Sequence, residues 1–197
     1  MKKNIIFPLI AATVLYACNS ENSSETKKDS TSAMLTDTTM DTMNNKMNST
    51  TTMTVDSGTS KFVNDAAIAG MMEIQAGNIA KGKTKNPRVA AFADMMITDH
   101  TAAANELKTQ AAASGLTVPS DLPATDKDHI EKMKSMNGAA FDKHYMDMMV
   151  NGHKKVLDEF KAASKDLKND AIRNFASRTT PVIEKHLDSA KAIYKKM

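Results

Sequence analysis

Two short stretches of the chain set the same pair of side chains in the same register. In Asp94-Met95-Met96-Ile97-Thr98-Asp99-His100 and in Asp147-Met148-Met149-Val150-Asn151-Gly152-His153, a methionine stands four residues before a histidine. On a helix that spacing stacks both side chains on one face. Each stretch therefore offers a soft thioether and an imidazole, donors suited to transition metals. Glu73 and His186 fall inside two further apolar-periodic segments. Four helical segments would thus each bring one candidate ligand to a shared interior: Glu73, His100, His153 and His186.

Burying such groups singly is costly unless each finds a partner. Two arrangements satisfy them, and the sequence leaves both open. In a closed hydrogen-bond network, Glu73 accepts from a histidine while Asp99, Tyr145 or Thr179 orients the others. In a mononuclear Zn, Cu or Fe site, three imidazoles and the Glu73 carboxylate are the ligands, with Asp99 behind them. Met96 and Met149 are supporting or alternative ligands, although a methionine stripe at helical spacing is more often core filling. A di-iron centre is not expected, because it needs a carboxylate on every helix and paired Glu-x-x-His motifs. No glutamate here is followed three residues later by histidine. His129 and His144 lie off the apolar stripes and are expected in solvent. With no paired Ser or Cys nucleophile and no Gly-rich phosphate loop, a non-enzymatic role leads.

The elements that must position these residues follow from periodicity. Phe62, Ala66, Ala69, Glu73, Ala76 and Ala80 predict a helix over 61–82, and Asn86-Pro87 caps the next, over 87–113. Ser114-Gly115 ends it, and Pro119 and Pro123 break the chain before a short amphipathic segment, Asp126 to Met136. Two more helices are predicted over 139–165 and 170–195, with Pro181 kinking the last. No strand pattern competes. The fold class is all-α: two helical hairpins joined by a long crossover, the connectivity of ferritin-like four-helix bundles. At about 1.5 Å per residue, Glu73 lies about 16 Å and His100 about 24 Å from the first turn, and His153 about 21 Å and His186 about 28 Å from the second. Partners within each hairpin are thus expected a turn and a half apart, meeting through a water or an ion.

The first 60 residues differ in kind. Lys2 and Lys3, an apolar run from Ile5 to Leu15, and Leu15-Tyr16-Ala17-Cys18 read as a signal peptide over 1–17, whose end resembles a bacterial lipobox with Cys18 as the lipidated residue. The Ser/Thr/Asn/Asp-rich segment through residue 60 has no helical or strand period and reads as a disordered tether between the lipid and a domain over 61–197. Its Met34, Met40, Met43, Met47 and Met53 would suit Cu(I), and its Asp-Ser and Asp-Thr pairs resemble O-glycosylation acceptors, but both patterns arise readily from composition. Cys18 is the only cysteine, which excludes an intrachain disulfide. The expected address is the cell envelope, at the outer membrane through the lipid. Removing the two lysines with residues 1–17 lowers the formal charge from +3 to +1, and there is no Trp. Nucleic acid is therefore not an expected partner.

The stretch from Phe62 to about Tyr194 resembles the bacterial family known as domain of unknown function 4142. The residues that carry the likeness are Met72-Glu73, Phe92-Ala93 through Asp99-His100, Phe141-Asp142 with Tyr145-Met146 and His153, and Pro181 with His186-Leu187. The resemblance implies an exported, ferritin-like four-helix protein and no particular activity. The leading reading is a lipid-anchored envelope protein whose bundle holds a metal or small ligand, in stress or metal handling. Its rivals are a purely structural or protein-interaction bundle and a metal-dependent redox enzyme.

Overall fold

Helix starts and stops are written locally. The computed structural model describes residues 56–197; the segment expected to be a signal peptide, Cys18 and the expected tether through residue 55 lie outside the described residues. Helix α1, Ser57–Lys83, opens four residues before its apolar period becomes legible, because the Asp56 carboxylate accepts from the Thr59 N–H and hydroxyl. Helix α2, Pro87–Ala113, begins as its Asn86-Pro87 pair predicts, with the Asn86 side chain accepting from Arg88 N–H. It ends in a Schellman motif: Gly115 at φ 69° donates to Ala112, and Leu116 to Ala111. The crossover carries α3, Ala124–Ser135. Helices α4, Gly138–Asp166, and α5, Asp170–Tyr194, form the second hairpin. Pro181 removes one backbone donor inside α5, and the helix continues across it.

The short connections make α1 and α2, and α4 and α5, antiparallel neighbours; α2 against α5 and α1 against α4 close the bundle, and α3 lies on α1. The ends fix the directions. Lys83, at the end of α1, donates to Met136 O and Asn137 Oδ1 beside the start of α4, and Lys143 on α4 reaches the Tyr194 hydroxyl at the end of α5. Thus α1 and α5 run one way and α2 and α4 the other, so the crossover must climb the length of the bundle. All described elements are helical, which bears out the all-α expectation.

Close packing rests on small residues. Ala76, Ala80, Ala93, Ala176 and Ala190 are fully buried, and at Gly77 a Cβ would come 3.0 Å from Ile97, so glycine lets α1 and α2 approach there. The core has two apolar clusters. One holds Val89, Phe92, Met96, Phe141, Tyr145 and Met149. The other holds Phe62, Leu107, Phe160, Phe175 and Ile183, with Phe62 edge-on to Phe160 at 4.9 Å. Truncating Phe160 to alanine would cost about 3–5 kcal/mol by removing both transfer energy and packing. Between the clusters lies a buried polar layer.

Candidate metal centre

That layer contains one residue from each long helix. Glu73 is 6% exposed, His153 and His186 are buried, and His100 is nearly so. Glu73 Oε2 lies 3.1 Å from His100 Nδ1, and Glu73 Oε1 lies 3.2 Å from His153 Nδ1. The ring centroids of His100, His153 and His186 are 5.3 to 5.6 Å apart.

The pairs touch directly, although their backbone heights suggest an offset. The reason is the tilt of Cα–Cβ bonds toward the helix N-terminus. In each hairpin the residue nearer the turn precedes it and points away, while the farther residue follows it and points back. Glu73 and His100 therefore converge, as do His153 and His186.

Distances alone would suggest ion pairs, but burial argues otherwise. It pushes the Glu73 carboxyl up to about 8. Burial, with the neighbouring His153 and His186, holds His100 down at about 3; burial and His186 hold His153 at about 4. His186 is also lowered by burial, against the opposing pull of Asp99. At neutral pH the imidazoles are uncharged and Glu73 retains its proton, so these contacts are neutral.

Two tautomers are set by partners that can only accept. His153 Nδ1 lies 3.0 Å from the Met149 carbonyl and must donate to it, and His186 Nε2 donates to Asp99 Oδ2 at 2.8 Å. His153 Nε2 and His186 Nδ1 are thereby left with bare lone pairs. His100 Nε2, His153 Nε2 and His186 Nδ1 are all buried without a hydrogen-bond partner. One donor nitrogen from each of the three histidines lies within 4.8 Å of the others. A tetrahedral ion with bonds of about 2.0–2.1 Å needs donors roughly 3.3 Å apart, a contraction within the reach of imidazole rotation.

Asp99 accepts from His186. Glu73 touches Nδ1 of both His100 and His153. Met96 and Met149 are buried in the apolar cluster beside the layer, and Met149 contributes its carbonyl to His153. Tyr145, expected as an orienting group, has a buried hydroxyl without a partner, its acidity suppressed by burial and by Glu73. Thr179 donates to Phe175 O in its own helix and orients no histidine.

Residue spacing did not reveal a second histidine contact. His129 on α3 and His144 on α4, expected in solvent, are half-buried, with Nε2 atoms 3.3 Å apart and rings stacked at 5.2 Å. The docking of the crossover brings them together, and no local period records it.

Next to the layer is a cavity of about 200 Å³, and Glu73, Asp99, His100 and His186 form its polar edge. No curated protein and no solved structure matches the chain. Residues 42–193 match the family described as Domain of unknown function (DUF4142), and the chain belongs to that family.

Proposed function

We propose that this protein is a lipid-anchored envelope protein whose bundle binds one divalent transition-metal ion through His100, His153 and His186, in a metal-handling role without catalysis. One observation carries the reading: three histidines from three helices each hold a buried ring nitrogen without a hydrogen-bond partner, and each offers a donor nitrogen within 4.8 Å of the others. A cation held among them would satisfy all three at once. The opposite nitrogens of His153 and His186 are anchored to a carbonyl and a carboxylate, the usual support behind metal-binding histidines. Neutral imidazoles suit Zn, Cu and Fe, and the general affinity order favours Cu(II) and Zn(II) over Fe(II). A cleft between α1 and α4, lined by Asp65, Glu73, Asp126 and Glu159 with Lys155 as its one cation, gives a metal ion a route inward.

Metal analysis of the purified mature protein, with melts in chelator and then in Zn(II), Cu(II) or Fe(II), tests the reading. One equivalent of metal and a higher Tm are expected. No metal, and a Tm unmoved by all three ions, would overturn it in favour of a purely structural hydrogen-bonded layer, the reading favoured by the two anchored nitrogens alone. The envelope address is tested separately through Cys18.

A further inference from the structure

Resting on the metal reading above, we propose that the cavity beside the histidine layer binds a small apolar monocarboxylic acid of about six to eight carbons, its tail in the cavity and its carboxylate on the ion. At about 200 Å³ the cavity is somewhat larger than the roughly 150 Å³ that accommodates benzene, and too small for a long-chain lipid.

The walls are apolar and built from small residues. Ala66, Ala69 and Gly70 on α1 and Ala103 on α2 leave the space that Phe160 and Phe175 bound. At Gly70 a Cβ would meet nothing within 4 Å, unlike the close approach at Gly77. Alanine would therefore fit at Gly70 and would favour the helix by about 1 kcal/mol, so backbone packing does not require the glycine.

The polar groups are segregated. His100 and His186 line the cavity and His153 does not, so an ion held by all three would sit at the cavity wall, within reach of a ligand bound there. Three protein ligands leave a fourth position for an exogenous donor, and a dication among neutral imidazoles in an apolar surrounding favours an anionic oxygen over a neutral one. At the mouth stand Lys108 on α2 and Val182 on α5, both exposed, and Lys108 makes no salt bridge among the described residues. An acid would thus meet a cation and an apolar lip on entry. Without the ion, Asp99 and Glu73 line the inner end, and an entering carboxylate would find no counter-charge there.

Calorimetric titration of the purified full-length protein tests this, with acetate, hexanoate and hexanol as probes and with Zn(II) either loaded or chelated. Hexanoate should bind the zinc form roughly 100-fold more tightly than acetate, reflecting four buried methylenes; hexanol should bind more weakly than hexanoate, and chelation should abolish hexanoate binding. In Gly70→Leu, which fills the cavity while leaving the three histidines in place, zinc should still bind and the advantage of hexanoate over acetate should vanish. Equal affinities for acetate and hexanoate, equal binding with and without zinc, or an unaltered advantage in Gly70→Leu would each overturn the proposal. The chain-length comparison decides even if that variant fails to fold. If zinc binds and hexanoate does not, this inference alone falls; if no zinc binds, the metal reading falls and takes it down too.

Discussion

Replacing His153 by leucine separates the metal reading from the hydrogen-bond reading, because the two assign opposite values to the same imidazole. The ring is fully buried, bonded to Met149 O at 3.0 Å through Nδ1, and bare at Nε2. Leucine is close in volume, so little cavity is left. In chelator the variant loses one net hydrogen bond, about 0.5–1.5 kcal/mol, and sheds one buried unsatisfied nitrogen, about 1–3 kcal/mol. The balance lies near zero or up to about 2 kcal/mol in favour of the variant. With metal at a hundredfold excess over Kd, the wild type gains about 2.7 kcal/mol and the variant gains nothing. For a domain of this size that increment is about 10 °C in Tm. The order of stabilities should therefore invert between the chelated and the metal-loaded sample. Paired thermal melts by circular dichroism, with calorimetric ΔH to check two-state behaviour, read both. A variant about 1–3 kcal/mol less stable in chelator, together with a wild type indifferent to Zn(II), Cu(II) and Fe(II), would refute the metal reasoning and leave a satisfied network.

Four further outcomes are expected. Asp99→Asn removes the carboxylate behind His186 and should weaken metal binding about 10- to 100-fold in competition titrations, with the apo melt little changed. The metal-free protein should be most stable near pH 6.5 in a chevron or melt series: the three histidines, all lowered by burial, contribute stability present above their ordinary 6.5 and lost as pH falls, through about 4 for His153 and about 3 for His100, whereas Glu73, raised to about 8, contributes stability present below 4.5 and lost as pH rises through 8. Three groups outweigh one below pH 6.5, so a plateau extending down to pH 4 would contradict the burial of the layer. Asp56→Ala should cost about 1 kcal/mol by uncapping α1, read by denaturant unfolding. Cys18→Ser should move the protein from the membrane to the soluble fraction, and unchanged membrane association would sink the lipid anchor.

Much of the architecture is local in origin. Apolar stripes at three and four, Asn86-Pro87, Ser114-Gly115 and Asn169-Asp170 mark four long helices because caps, turns and amphipathic faces are properties of a few consecutive residues. The start of α1 was less legible, since Asp56 and Thr59 act through one cap rather than through a repeated period. The same locality placed Glu73, His100, His153 and His186 on inward faces. It could not assign their roles. Glu73 reads as a ligand from its type, and the crossing of α1 with α2 and α4 sets its oxygens against Nδ1 of two histidines. Tyr145 and Thr179 read as orienting groups from their faces, and only the packing shows which hydroxyl reaches a partner. His129 and His144 meet because the crossover docks against the bundle, 15 residues apart in sequence and on different helices. The sequence by itself determined that this chain makes helices with a polar residue on each inner face, since periodicity is encoded residue by residue. Tertiary structure alone decided that three of those residues, the histidines, cluster with donor nitrogens within 4.8 Å of one another, because that depends on the register between hairpins and the direction of each Cα–Cβ bond, which no spacing along a single helix contains.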